Sequence, residues 1–172
     1  MLGMRFIKSQ PTTHLMQFRK GKVVREGAGQ SFFYYGPTST VVAVPVGSQD
    51  RPFILELVTV DFQSITVQGQ VTFRVTDPRR IASLMDFSLA PDGRGFTSED
   101  PQRLGERVAM QAEVIVRQTV QQMDLKQALR SSASIAQDCQ QRLASQAEVM
   151  ALGLEVLGVS VLAIKPTPDM AR

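Results

Sequence analysis

The sequence predicts an α+β protein, a mostly antiparallel twisted sheet covered by amphipathic helices, and three observations carry that reading. Strand-like runs fill the first part of the chain, two long runs of helical period follow, and one last strand closes it. Within "SITVQGQVTFRVTDPRR", apolar residues or Gly hold every odd position from Ile65 to Val75, and polar residues hold every even one from Thr66 to Thr76. Period two over that length marks an antiparallel strand with one dry face and one wet face. The helical runs carry the apolar stripes that would cover the dry face.

The elements follow in order. "THLMQF" and "KVV" flank "RKG", a tight-turn signal in which Gly21 is free to take positive φ. Gly27, Gly29, Gly36 and Pro37 then break the chain around the aromatic run "SFFYYG". "TVVAVPV" is a strand, and Pro45 argues for a sheet edge or a bulge there. "PFILELVTVDF" is the next strand, and Asp61, Phe62 and Gln63 make a short hairpin connection to the alternating one. Asp77 caps a short helix, "PRRIASLMDF", with Pro78 in its first turn and with Ile81, Leu84 and Met85 facing inward.

"SLAPDGRGFTSEDP" is a loop dense in turn residues. A long helix from about Pro101 to Gln122 carries Leu104, Val108, Ala112, Ile115, Thr119 and Met123 at three- and four-residue steps. A second, capped by Ser131 or Ser132, carries Ile135, Cys139, Leu143, Ala147 and Met150, with Gly153 as its C-cap. "EVLGVSVLAIKP" is the last strand, stopped by "PTPDMAR".

The chain of 172 residues fits one domain, 1–172, with its core over about 11–166. Its net charge of +3 is unevenly placed. Arg5, Lys8, Arg19, Lys20, Lys22 and Arg25 all precede the first acidic residue, Glu26, whereas 13 basic and 14 acidic residues nearly balance from Arg51 onward. The single cysteine, Cys139, excludes an intramolecular disulfide and gives no zinc site, which fits a reducing compartment. No run approaches the ~20 apolar residues of a transmembrane helix, and the first residues are too polar for a secretory signal. The expectation is a soluble cytoplasmic protein, peripheral on the cytoplasmic face of a membrane if it meets lipid.

A catalytic constellation is not readable. His14 is the only histidine, in a strand, and one imidazole without partners is not a site. Cys139 lies on an apolar helical stripe, where it packs as a small hydrophobe. The acidic "TSEDP" reads as a solvated helix N-terminus, and "GAGQSFF" and "DGRGF" as turns rather than phosphate loops. No enzyme, cofactor or metal is expected. The suggestive cluster is "QFRKGKVVREG", which could meet anionic headgroups or nucleic-acid phosphates, or simply decorate an exposed hairpin. Phe32, Phe33, Tyr34 and Tyr35 supply either shallow membrane insertion or core; strand alternation sends at least half of them to the core.

Taken together, "MQFRKGKVVREGAGQSFFYYGP" resembles the N-terminal hairpin of the SPFH or band 7 domain of stomatins, prohibitins and flotillins. "VDFQSITVQGQVTFRVTDPRR" resembles that family's long alternating strand, with Asp61 at its acidic turn and Asp-Pro after it. "AEVIVRQTVQQMDLKQALRS" is similar to its helix, Met-x-Leu and capped helix, and "GLEVLGVSVLAIKP" to its closing strand. The match runs from about Pro11 to Pro166. The departures are the absence of a hydrophobic hairpin, a transmembrane segment or a following coiled coil, as in a piece of a longer protein, and a longer glycine loop, "APDGRGFT".

The resemblance implies a non-enzymatic membrane-associated scaffold that oligomerises with its own copies, organises membrane microdomains or regulates bound membrane proteins. Arg5, Lys8, Arg19, Lys20, Lys22 and Arg25 form the candidate anionic-membrane surface, with Val23 and Val24 beside the aromatics as further insertion candidates. Helix–helix contacts or the edge of "TVVAVPV" would serve self-association. The alternative is a soluble protein-interaction adaptor that never meets lipid; a nucleic-acid-binding module using the same hairpin is more remote.

Overall fold

A computed structural model describes residues 3–167. The stop expected at "PTPDMAR" lies outside the described residues beyond Thr167. The order is β1 (Met4–Lys8), β2 (Thr13–Arg19), β3 (Lys22–Ala28), β4 (Ser31–Tyr35), a 3-10 turn (Gly36–Thr38), β5 (Ser39–Pro45), β6 (Gln49–Val58), β7 (Ser64–Val75), α1 (Pro78–Leu84), α2 (Asp100–Val120), α3 (Leu125–Arg130), α4 (Ser132–Ala144), α5 (Ala147–Ala151) and β8 (Leu154–Pro166). This is an α+β architecture, but the strands divide among three sheets, ordered β1-β4, β3-β2-β5 and β6-β7-β8. The described residues form two compact units, one of 3–48, 74–104 and 152–154, the other of 49–73, 105–151 and 155–167.

In the first unit, β2 and β3 pair antiparallel with Arg19 opposite Lys22. Lys20 and Gly21 both take positive φ, 53° and 76°, the type I′ turn whose twist suits a hairpin. A bulge between Gln17 and Phe18 leaves Val24 as the extra residue of β3 and turns it outward. β5 pairs with the other side of β2 and ends at Pro45 opposite Thr13, on an edge of its sheet as proline requires. That edge is not free, which corrects the self-association surface expected there. Leu89 N–H donates to the Val41 carbonyl at 2.8 Å and Ala43 N–H to the Phe87 carbonyl at 3.0 Å.

The loop after α1 thus extends the sheet, and Phe87 packs edge-to-face on Phe96 at 6.1 Å. β1, which the sequence reading did not assign as a strand, pairs with β4 from Met4–Tyr35 to Lys8–Ser31. The core here joins Leu15, Phe32, Tyr34, Val41 and Ala43, with Ile7 and Leu89 against them.

In α1, the Asp77 carboxylate accepts from Arg80 N–H at 3.1 Å. Ile81 and Met85 are buried as expected, but Leu84 is 56% exposed. The helix stops at Leu84, and Met85, extended at φ −136°, turns back into the core while Leu84 is left outside.

In the second unit, β6 and β7 form an antiparallel hairpin in full register. Ile65, Val67, Val71 and Phe73 of β7 are buried, and Gly69 sits directly opposite Phe53. A Cβ on Gly69 would lie 2.3 Å from the Phe53 ring, so glycine makes room for an aromatic cover on the dry face. Thr167 N–H donates to the Ser64 carbonyl. In the first unit, Thr76 N–H donates to the Gly153 carbonyl, so the two ends of β8 meet β7 in antiparallel order.

The turn between β6 and β7 is held by Asp61, whose carboxylate accepts from the Thr59 hydroxyl and, at 3.1 Å, from Leu125 N–H. These bonds, the Thr59 hydroxyl first, hold the Asp61 carboxyl below its ordinary range. Along α2, Val108, Ala112 and Ile115 are buried, and so are Val116 and Val120, which the stripe omits. In the last helical stretch the expected single helix breaks at Ser145 and Gln146. The break shifts the phase, so Val149 is buried and Ala147 and Met150 are exposed. Cys139 is buried with its thiol 3.8 Å from the Ala112 carbonyl, and burial pushes its pKa up to about 11.

Candidate functional site

The antiparallel register of β1 and β4 sets each residue of one strand beside a same-face residue of the other. Arg5 and Ile7 share the inner face with Tyr34 and Phe32, and Met4, Phe6 and Lys8 share the outer face with Tyr35, Phe33 and Ser31. The aromatic run divides accordingly. Phe32 and Tyr34 are core, at 4% and 7% exposed, whereas Phe33 is 64% and Tyr35 44% exposed. Phe6, 55% exposed, packs against Phe33 with ring centroids 4.8 Å apart and the rings tilted by 52°. The outer face of this ribbon is therefore an aromatic patch of Met4, Phe6, Phe33 and Tyr35, with Lys8 at its end. Phe6 and Met4 escaped the sequence reading; the signal for them was their own alternation with Arg5 and Ile7.

The basic residues do not form one cluster. Arg19, Lys20 and Lys22 are exposed at the tip of the β2–β3 hairpin. Arg25 is exposed on β3, and its guanidinium carbon lies 4.8 Å from the centre of the Phe32 ring, a cation–π contact. Lys8 is exposed on the ribbon's outer face, and Arg5 stands apart from it on the inner side. Tip and ribbon meet at one end of the unit. Arg19 pairs with Ser39, and Ser39 is four residues from Tyr35, a reach of at most ~14 Å.

The one carboxylate of the hairpin is already engaged. Arg79 Nε donates to Glu26 Oε1 at 2.7 Å, and His14 Nε2 lies 3.2 Å from Glu26 Oε2. The Arg79 contact, then that of His14, holds the Glu26 carboxyl below its ordinary value. Neutralised in this way, Glu26 leaves the positive field of the tip undiminished. The strand histidine thus has a structural partner.

Among the described residues, no three His, Cys, Asp or Glu side chains gather as a metal site would need, and no helix is long and apolar enough to cross a membrane. What the surface offers is an exposed aromatic face beside positive charges, Lys8, Arg19, Lys20 and Lys22, that have no ion-pair partner among the described residues. A sequence model of the SPFH domain / Band 7 family matches residues 7–172. The chain belongs to that family. Its members are generally membrane-associated, non-enzymatic scaffolds. No curated protein matches the chain.

Proposed function

We propose that this SPFH domain acts as a non-enzymatic scaffold, peripheral on the cytoplasmic face of an anionic membrane, and that it assembles with its own copies to organise or regulate proteins there. The observation that carries the membrane contact is the exposed Phe6–Phe33 pair on the outer face of the ribbon. Exposed apolar surface is costly unless it meets a partner, and aromatic side chains settle at the headgroup level of a bilayer. Arg19, Lys20, Lys22 and Lys8 supply the attraction to anionic lipid, about 1 kcal/mol for each charge near the surface. Arg25 contributes less, because its guanidinium is already held over Phe32.

The test is flotation with neutral and with phosphatidylserine-containing vesicles. The wild-type chain binds the anionic vesicles only. Changing Arg19, Lys20, Lys22 and Arg25 together to Ser, or Phe6 and Phe33 together to Ser, lowers the bound fraction at least about tenfold. A wild-type chain that floats with neither vesicle overturns the reading in favour of a soluble protein-interaction adaptor. Tighter binding to duplex or single-stranded oligonucleotides than to vesicles would favour the nucleic-acid alternative.

A further inference from the structure

The inner side of the ribbon holds a feature that membrane contact does not use. A cleft of about 480 Å³ is lined by Arg5 and Tyr34 of the ribbon, the turn at Gly36 and Pro37, the start of β5, and residues 88–91. That volume lies within the range of small-molecule sites, about 300–1,000 Å³. Tyr34, Pro37, Leu89 and Pro91 give it apolar walls, and among the described residues Arg5 is its one charged lining residue. Among the described residues, the Arg5 guanidinium has no hydrogen-bond or ion-pair partner.

Behind the wall lies a buried polar residue. Gln17, 1% exposed within β2, donates through Nε2 to Ser39 Oγ at 3.1 Å, while its own Oε1 is buried without a partner. Ser39 lines the cleft. Because its oxygen already accepts from Gln17, its hydroxyl hydrogen is left to donate elsewhere. The hydroxyls of Ser88 and Thr97 differ, since both are engaged by the Asp86 carboxylate. The uncommitted groups of the cleft are thus the Arg5 guanidinium and the hydroxyls of Tyr34, Ser39 and Thr40. All of them can donate and one is cationic, so an oxyanion on an apolar body complements them.

The charge balance narrows the class. A phosphate dianion beside a single guanidinium would leave one negative charge uncompensated. Asp86, ionised and bonded to Thr97 of the lining, would add repulsion. A carboxylate matches Arg5 one for one and accepts its forked donors. We infer that this cleft binds a small organic monocarboxylate, Arg5 pairing with the carboxylate and Ser39 donating to it. The site is independent of the membrane-facing surface and is untouched by either flotation variant.

The test is a heteronuclear NMR titration of the full ¹⁵N-labelled chain with 3-phenylpropionate, hexanoate, 3-phenylpropionamide and phenyl phosphate. At least one carboxylate gives saturable shifts at the amides of Ser39, Thr40, Leu89 and Ala90; the neutral amide gives none at the same concentration, and phenyl phosphate binds more weakly. Arg5→Gln raises the carboxylate Kd at least about tenfold, the loss expected for a charged hydrogen bond, with Arg5→Lys intermediate. Arg5 is exposed, so the spectrum of Arg5→Gln away from the cleft stays that of the wild type. No saturable shift with either carboxylate, equal binding of the amide, tighter binding of the phosphate, or an unchanged Kd in Arg5→Gln each overturns the assignment.

Discussion

β4 and β7 both alternate between buried and exposed positions, and they differ in what they expose. In β7 the buried face is Ile65, Val67, Gly69, Val71, Phe73 and Val75, and the other face is Thr, Gln and Arg. In β4 the buried face is Phe32 and Tyr34, yet Phe33 and Tyr35 stand in solvent between and beyond them. Burial of period two is a property of the strand, whereas polarity of period two is a property of a strand whose outer face meets water. Where the first holds without the second, the outer face is shaped for something other than water. Of these two strands it singles out β4, although β6, beside β7, also exposes Ile54 and Val58.

The largest effect is expected within β4. Phe32→Ala removes a buried ring from the core and is expected to lower stability by about 3–5 kcal/mol, read by urea unfolding. On the dry face of β7, Gly69→Val drives a side chain into the Phe53 ring and costs about 2–3 kcal/mol by the same measurement. A Gly69→Val chain as stable as the wild type would mean that the ring does not cover the strand.

A smaller effect is expected from Glu26→Gln, and it appears in the acid limb of stability. Glu26 has a folded pKa held below its unfolded value, so its stabilisation is present above the unfolded value and lost as pH falls through the folded one. The substitution therefore lowers stability at neutral pH and flattens its fall in acid. An unchanged acid limb would show that the contact with Arg79 adds nothing. The smallest change in stability belongs to Phe33→Ser, within about 0.5 kcal/mol, because its ring is already exposed. If Phe33→Ser destabilises the chain as much as Phe32→Ala, the two faces of β4 are equivalent and the comparison fails.

Much of this was legible where one pattern had one cause. The β7 alternation, the Asp77 cap with Pro78, and the Lys20–Gly21 turn each follow from local chemistry and stand in the structure. So does the inward stripe of α2 from Leu104 to Ile115. What escaped depended on partners distant in sequence or on small shifts of phase. β1 is five residues with basic side chains interleaved, and it is a strand because β4 lies beside it. The break at Ser145 rotates the next turn, so that Val149 replaces Ala147 and Met150 inside. The candidate surface was half legible. Strand alternation divides Phe32 to Tyr35 correctly between core and solvent, but only cross-strand register brings Phe6 to Phe33 and takes Arg5 away from Lys8.

The burial of Cys139 reaches beyond packing. Burial pushes its pKa up to about 11, so at neutral pH almost none of it is the thiolate that reacts with maleimides. The chain has no other cysteine. A cysteine introduced at Phe33 or Lys20 would therefore be the only readily alkylated position, and an environment-sensitive dye placed there would report on the ribbon or on the hairpin tip alone. The native sequence already gives a silent background for mapping how deeply each of them sits against a bilayer.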